Sequence, residues 1–282
     1  VATPDEETFY RALGLGLIPP ELREGRGEIA AAAHGELPRL VERRDLKGFL
    51  HCHTNYSDGS NSVEQLATAA KAAGYEYLGV TDHSQAAAYA GGLSPEDLAR
   101  QADEIDEVNA RLHGFRVLKG IEADILQDGS VDYEERVLER LDFVIASVHS
   151  RFNMGEKEMT ARMLRAMDNP YLTIIGHPTG RLLLSRDPYP VDLEAVLDKA
   201  AATGVALEIN GDPHRLDLDW RVLRQARDNG VAISIGADAH GIGGLAYAEY
   251  GIGMARKGWL RSEDVLNSRP MADFVAYARR RR

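Results

Sequence analysis

The sequence contains only one cysteine, Cys52, so no disulfide can form within the chain, and this composition fits a reducing compartment. It also lacks an apolar run near the roughly 18 residues that a membrane-spanning helix needs. Its N-terminus does not combine the basic residues, apolar core and small-residue cleavage site of a secretory signal. We therefore predict a soluble, cytoplasmic protein with no membrane partner.

Positive charge is scarce as well. The chain has 33 Lys and Arg against 44 Asp and Glu, which gives a formal net charge of -11. Proteins bind duplex nucleic acid by neutralising many phosphates with a broad basic surface. The net charge of this chain argues against such a surface. If the substrate is anionic, the positive charge that attracts it must be local.

Residues 1–45 have helical and loop signals but no strand pattern. The stretch Thr3-Pro4-Asp5-Glu6 predicts a helix over about residues 4–13, which ends before Gly14, and an alanine-rich stretch predicts another over 28–33. We therefore predict a short helical N-terminal extension over 1–45, followed by one domain over 46–282. The chain begins with Val1 and not with Met, which we interpret as a sign of a processed chain or of a fragment of a longer protein.

From residue 46 onward, short apolar runs alternate with segments of helical periodicity. This alternation, with nearly continuous apolar strands, favours an α/β fold with a parallel sheet. Seven such units in one domain favour closure into a barrel that resembles a TIM barrel. The predicted strands cover 48–53, 75–82, 116–122, 142–149, 172–177, 205–210 and 231–238.

Each predicted strand ends in a residue that could bind a metal ion or act in an active site. Side chains alternate along a strand, so His51 and His53 point to one face and Cys52 to the other. The same argument pairs Asp238 with His240 if the strand stays extended through Ala239. The other strand ends carry Asp82 and His83, Glu122, His149, His177, and Glu208 with Asn210.

Imidazole and carboxylate ligands without thiolate fit zinc, manganese or iron. Three divalent ions held by three carboxylates and neutral imidazoles would leave a local charge of roughly +3, which attracts a phosphate to an otherwise acidic protein. We expect Asp82, Asp124, Glu208 and Asn210 to orient ligands from behind. In the loops after strand ends, Arg151, Arg181 and Arg215 are candidates for binding a substrate phosphate.

The order of these motifs resembles the polymerase and histidinol phosphatase (PHP) superfamily. The matching motifs are H-C-H at 51–53 with Asp58, T-D-H at 81–83, G-I-E at 120–122, S-V-H at 147–149, G-H-P at 176–178 and D-A-H at 238–240. The resemblance implies a distorted (β/α)7 barrel with three divalent ions, Mn²⁺ and/or Zn²⁺. One ion would be bound by His51, His53, Glu122 and Asp238, the second by Glu122, His149 and His177, and the third by Asp58, His83 and His240.

Of these ligands, we expect Glu122, His83 and Asp58 to matter most for catalysis. The resemblance implies hydrolysis of phosphate esters by activated water, so a covalent serine or cysteine nucleophile is not needed. Cys52 is then interpreted as a small buried apolar residue.

Other segments resemble the C-terminal half of bacterial family X DNA polymerases, where a PHP domain follows the polymerase thumb. They include L-G-L-G-L-I-P-P-E-L-R-E-G-R-G-E at 13–28, S-V-H-S-R-F-N-M at 147–154 and G-H-P-T-G-R-L-L-L at 176–184. This resemblance implies that 1–45 is the end of the thumb region and a linker, with polymerase domains upstream in the full-length chain. It also implies manganese-dependent action on DNA 3′ ends, as a 3′–5′ exonuclease or 3′-end processing enzyme in repair.

Two alternatives stay open. A small-molecule phosphomonoesterase of the histidinol-phosphate type would use the same metal ions, but the thumb-like N-terminus argues against it. A barrel that only supports the polymerase, without catalysis, would be expected to have lost ligands, and all nine candidates are present.

Overall fold

The structure, a computed structural model, describes residues 3–282. Val1, on which the expectation of a longer parent protein rests, lies outside these residues. The strands in this part of the chain are β1 (Gly48–Phe49), β2 (Tyr77–Val80), β3 (Arg116–Lys119), β4 (Glu122–Asp124), β5 (Ile145–Ser147), β6 (Ile174–Ile175), β7 (Ala206–Asn210) and β8 (Ile233–Gly236). The α-helices are α1 (Glu6–Ala12), α2 (Glu28–His34), α3 (Val63–Ala72), α4 (Pro95–Arg111), α5 (Glu135–Leu138), α6 (Glu156–Ala166), α7 (Leu193–Thr203), α8 (Trp220–Asp228), α9 (Ala248–Lys257) and α10 (Met271–Arg279).

The helix boundaries follow their capping signals. Ser62 accepts a hydrogen bond from the Gln65 amide, and the Gln65 side chain accepts one from the Ser62 amide, which caps α3. Ser94 and Asp97 form the same reciprocal cap at the start of α4, where Pro95 takes the first helical position. These helices therefore begin at capping motifs that are visible in the sequence itself.

All strand pairs in the two sheets are parallel, which confirms the predicted α/β class. The sheets have the orders β1-β2-β3 and β4-β5-β6-β7-β8. Single parallel bridges join them at both edges, one between His83 and Glu122 and one between Cys52 and Ala239. The arrangement is thus consistent with the predicted TIM-like barrel, but the regular ladders among residues 3–282 form two sheets and no closed barrel.

The predicted strand 116–122 is divided into β3 and β4 at Gly120. The ring of Phe143 lies so close that a Cβ at Gly120 would be 2.6 Å from it, and a Cβ at Gly79 would be 2.4 Å from it. Phe143 thus fills the interior where the two sheets meet. Only glycine allows the strands to approach it this closely.

The interior core lies below the strand ends that carry the polar residues. Its buried side chains come from most of the strands or their flanks, and α10 covers this end with Phe274 and Tyr277. A larger core lies between the strands and the surrounding helices, with α3 against β2, α4 against β3 and α9 against β7 and β8. The bottom of the fold is therefore packed with apolar side chains, and the polar residues lie at the opposite end.

The N-terminal segment, residues 3–45, packs against the barrel through a small apolar cluster that includes Leu22, Leu40 and Trp259. Arg256 of α9 adds a salt bridge to Glu21, with a distance of 2.7 Å between its Nε and Oε1. None of the helices within residues 3–282 combines the length and apolar character needed to cross a bilayer.

Candidate metal centre

The structure brings all nine predicted metal ligands into one pocket at the carboxyl ends of the strands. Three overlapping groups each place their ligand atoms within 4.8 Å of one another. These groups are His51, His53, Glu122 and Asp238; His53, Asp58, His83 and His240; and His83, Glu122 and His149. His177 joins the third group, because its Nε2 lies 3.0 Å from Glu122 Oε1.

Glu122 lies at the centre of the pocket and is fully buried. Its Oε1 faces His177 and His149, with the His149 Nε2 atom 3.3 Å away, and its Oε2 is 3.1 Å from His83 Nδ1. His51 Nε2 approaches Oε1 at 3.4 Å and His53 Nε2 approaches Oε2 at 3.6 Å. One carboxylate thus faces five imidazoles, which is the position expected of a bridging ligand.

Asp58 reaches the pocket from the turn that follows His53. Its Oδ1 lies 3.3 Å from His240 Nε2, and its Oδ2 lies 3.6 Å from His83 Nε2. Asp238 faces the other side, with its Oδ1 2.9 Å from His53 Nε2. His53 therefore lies between the group centred on Asp238 and the group centred on Asp58.

Carboxylates behind the pocket fix the orientation of the imidazoles. Glu208 Oε1 contacts His51 Nδ1 at 2.6 Å, and its Oε2 accepts a hydrogen bond from the His177 amide. Asp124 Oδ1 contacts His149 Nδ1 at 2.7 Å. Both acids therefore take the orienting role predicted from the sequence, and they leave the Nε2 atoms of His51 and His149 directed at Glu122.

Several buried atoms of the pocket have no hydrogen-bond partner within residues 3–282. They are His51 Nε2, His53 Nδ1, His83 Nδ1, His177 Nδ1 and Glu122 Oε2. A buried polar atom without a partner is costly, so a native protein needs a reason to retain it. Unpaired imidazole and carboxylate atoms that face one another, such as His83 Nδ1 and Glu122 Oε2, fit divalent metal ions, as does the lack of thiolate among them.

The electrostatics of the pocket keep its carboxylates ionised. Burial alone would raise the pKa of Glu122, but the imidazoles of His149, His51 and His83 outweigh burial and hold this pKa well below its usual range. Burial opposes a charge on Asp238 in the same way, and His51 and His53 again lower the pKa well below normal. The pocket therefore offers anionic oxygen ligands.

β6 and β8 end before the ligands that follow them, which differs from the predicted strand bounds. β6 ends at Ile175 and β8 at Gly236, and beyond them His177 has a φ of +25° and Asp238 a φ of +52°. The extended strand assumed through Ala239 is therefore wrong. Asp238 faces the pocket because its backbone turns into the left-handed region, a strained conformation for a residue other than glycine.

The three candidate arginines have different surroundings. Arg215 lies beside the pocket, with its Nε 3.3 Å from Asp238 Oδ2 and its Nη1 buried without a hydrogen-bond partner in the described chain. Arg181 instead holds the loop that carries Arg215, because it donates to the backbone carbonyls of Arg215 and Leu216. Arg151 is exposed and has a φ of +59°.

Sequence reasoning missed the support for the Asp58 turn. Asp82 accepts hydrogen bonds from Thr54, from Ser57 and from the buried Gln101 of α4, so it orders the turn rather than an imidazole. Gln101 was detectable in principle. It occupies a position on the face of α4 that otherwise presents Leu98, Ile105 and Val108.

Glu208→Gln is expected to weaken metal binding by about 10- to 100-fold, because a neutral amide supports the His51 imidazole less well than a carboxylate does. Metal affinity, measured by competition with a chelator, tests this expectation. Glu263→Gln is the matched control, since Glu263 is exposed and pairs with Arg261. Equal affinities in the two variants would contradict the orienting role of Glu208.

Fold and site together are those of a TIM-like α/β protein with a cluster of candidate metal ligands at the carboxyl ends of its strands. The family model described as the PHP domain matches residues 50–212, which is more than half of the chain, so the chain belongs to the PHP family. The resemblance predicted from the motifs is confirmed. As a member of this family, the chain is a metal-dependent phosphoesterase, which hydrolyses phosphate esters.

The chain is 43% identical over 277 residues to the DNA polymerase/3′-5′ exonuclease PolX of Bacillus subtilis, and the match covers 98% of this chain. It covers only 48% of PolX, so the chain spans about half the length of that relative. A probable phosphatase of Acetivibrio thermocellus is 32% identical over 199 residues, which are 67% of this chain and 78% of the phosphatase.

Among solved structures, the histidinol phosphate phosphatase of Lactococcus lactis, complexed with zinc, L-histidinol and phosphate, aligns with a TM-score of 0.52 and 19% identity. The alignment covers 73% of this chain and 92% of that structure. At this identity the likeness supports the fold alone.

Proposed function

We propose that this chain hydrolyses phosphodiester bonds at DNA 3′ ends, as a 3′–5′ exonuclease or 3′-end processing module in DNA repair. In this proposal it is the PHP module of a family X DNA polymerase. Residues 1–45 are then the end of the thumb region and the linker, and polymerase domains precede them in the parent protein. The setting is the cytoplasm.

The observation that carries the hydrolytic part of the proposal is the convergence of nine candidate ligands in one pocket with Glu122 at its centre, with buried ligand atoms left without partners. We assign to these residues three divalent ions, Mn²⁺ and/or Zn²⁺, bound by the three sets of ligands that the PHP resemblance implies. Such ions activate water and neutralise charge on a phosphate. The thiol of Cys52 is fully buried and lies near the carbonyl of Gly79, so it is not placed to act as a nucleophile.

Arg215 is the protein group best placed to hold the substrate phosphate. Its buried Nη1 needs an acceptor, and a phosphate oxygen would supply a charge-assisted one beside Asp238. Arg181 positions Arg215 through two backbone carbonyls. Arg151, exposed on the neighbouring loop, would meet a phosphate further from the pocket.

The extent of the similarity favours DNA over a small phosphomonoester. The match to PolX includes nearly all of the N-terminal segment, whereas the match to the probable phosphatase covers 67% of the chain. The N-terminal segment also packs against α9 of the barrel. It is therefore a structural part of the module.

The proposal is tested with protein that has been stripped of metal and reloaded with Mn²⁺ or Zn²⁺. A 5′-labelled single-stranded oligonucleotide with a 3′-hydroxyl should be shortened from its 3′ end, one nucleotide at a time. Histidinol phosphate is offered in parallel. Rapid histidinol phosphate turnover with an intact oligonucleotide would favour the phosphomonoesterase, and inactivity on both substrates with either metal would favour a supporting role without catalysis.

Arg215→Lys should lower kcat/KM for the oligonucleotide by about 10- to 100-fold, because lysine keeps the charge but loses the forked donors of a guanidinium. Initial rates over a range of oligonucleotide concentrations measure the effect. Arg44→Lys is the control, since Arg44 is exposed and pairs with Glu42. An unchanged kcat/KM in Arg215→Lys would remove Arg215 from the phosphate site.

A further inference from the structure

Outside the metal pocket, three cations surround one aromatic ring. The charged groups of Arg26, Arg221 and Lys257 lie 5.3, 5.4 and 4.6 Å from the ring centroid of Trp220. They come from the N-terminal segment, α8 and α9. In a chain with a net charge of -11, such a concentration of positive charge is unusual, because the cations repel one another and the ring offsets only part of that cost.

Arg224 extends this group. Its Nη1 donates to the backbone carbonyl of Arg26 at 2.8 Å, and its guanidinium lies 4.3 Å from the ring centroid of Trp259. Arg26 in turn donates to the carbonyl of Arg221. In the described part of the chain, neither Arg26 nor Arg224 forms a salt bridge, whereas Arg221 pairs with Asp219 and Lys257 pairs with Glu24. We name Arg26, Arg221, Arg224 and Lys257 the cationic track.

The track is connected to the metal pocket by direct contacts. Asp219 Oδ2 lies 3.0 Å from Nη1 of Arg221 and 3.0 Å from Nη1 of Arg181. Arg181 donates to the backbone carbonyl of Arg215, whose own guanidinium lies beside Asp238. Alternating arginine and aspartate side chains therefore link the metal centre, across the start of α8, to the cationic track.

We propose that the cationic track binds the phosphates of a single DNA strand whose 3′ end lies in the metal pocket. The inference rests on the proposed function and adds the path of the strand away from the site of hydrolysis. Contacts to phosphates alone would make binding independent of sequence, as an end-processing enzyme requires. The narrow track suits one flexible strand better than a duplex, which the acidic remainder of the surface would repel.

The test compares two triple variants in the whole chain. The track variant is Arg26→Gln/Arg221→Gln/Lys257→Gln. The control variant removes three exposed arginines that each pair with a nearby acid, Arg44→Gln/Arg111→Gln/Arg136→Gln. Both variants lose the same net charge, so a difference between them reports on position rather than on total charge. Unfolding temperatures verify that both are folded.

Binding is measured by fluorescence anisotropy with a 5′-fluorescein oligothymidylate that carries phosphorothioate linkages, at several salt concentrations. The track variant should bind about tenfold or more weakly, and its plot of log affinity against log salt should be less steep by about 2, from roughly 0.7 for each lost phosphate contact. The control variant should keep the wild-type slope. Equal weakening in both variants would overturn the proposal.

A second measurement needs no change of charge. The chain has two tryptophans, of which Trp259 is only 5% exposed and Trp220 is half-buried beneath the track. Adding oligothymidylate should change the tryptophan emission of the wild-type protein, and Trp220→Phe should remove most of that change. An emission change that survives in Trp220→Phe would place the strand elsewhere.

Both measurements detect binding without hydrolysis. Track-dependent binding by a protein that does not shorten DNA would uphold the track and reject the exonuclease. If the wild-type protein shortens DNA and the track variant binds DNA as tightly as the wild type, the exonuclease proposal stands and the track is rejected.

Discussion

Glu122→Gln is expected to abolish hydrolysis and to reduce the amount of bound metal. Glutamine keeps the shape of the side chain but replaces an anionic carboxylate, whose two oxygens together face five imidazoles, with a neutral amide group. A bridging ligand serves more than one ion, so its loss weakens several sites at once. Since metal ions contribute several kcal/mol to phosphate ester hydrolysis, kcat should fall by about a thousandfold or more.

Two measurements are needed for this variant. Elemental analysis after dialysis gives the metal content, and oligonucleotide shortening gives the rate. Glu134→Gln is the matched control, because Glu134 is exposed and pairs with Arg136. Full metal content together with a normal rate in Glu122→Gln would show that Glu122 is not the bridge. Normal metal content with a lost rate would limit its role to the chemical step.

Phe143→Ala should lower the free energy of unfolding by about 3–5 kcal/mol, a large part of the 5–15 kcal/mol typical of a folded domain. Phe143 is fully buried, and its ring fits against Gly79 and Gly120 and packs edge-on against Phe274 of α10. Strands on several sides hold this space open, so the surrounding structure cannot collapse fully into the cavity. Urea unfolding of the metal-free protein measures the change.

Phe9→Ala is the control for this experiment, since the Phe9 side chain is 49% exposed and its loss should cost no more than about 0.5 kcal/mol. A loss below 1 kcal/mol for Phe143→Ala would mean that the interior repacks. The junction of the two sheets would then be less rigid than the contacts of Phe143 indicate.

Much of the fold could be predicted because its signals are local. The capping pairs at Ser62 and Ser94 mark helix starts through atoms a few residues apart, and the apolar runs mark strands through burial on both faces. The exact strand ends could not be predicted. At the carboxyl end of the sheets, the amides of His177 and Thr179 donate to the side chains of Glu208 and Asp217. Regular pairing with the backbone of a neighbouring strand stops there, because distant side chains take over these hydrogen bonds.

The candidate ligands could also be predicted, for a related reason. The carboxyl ends of parallel strands gather at one end of the fold, so residues at those positions meet whatever the details of their backbone. This placed Asp238 correctly in the pocket although the geometry assumed for it was wrong. The role of Arg181 was not predictable in this way, because its partners belong to a loop whose course depends on the whole fold.

The sequence by itself determined the α/β class and the starts of α3 and α4 through short-range periodicity and capping motifs, and the resemblance of its motifs to the PHP superfamily indicated the nine residues that meet in the pocket. Only the tertiary structure decided which atoms face Glu122, which arginine lies beside Asp238, and which cations from distant segments meet at Trp220. Such contacts depend on distances and angles between elements far apart in the chain. No local pattern encodes those distances and angles.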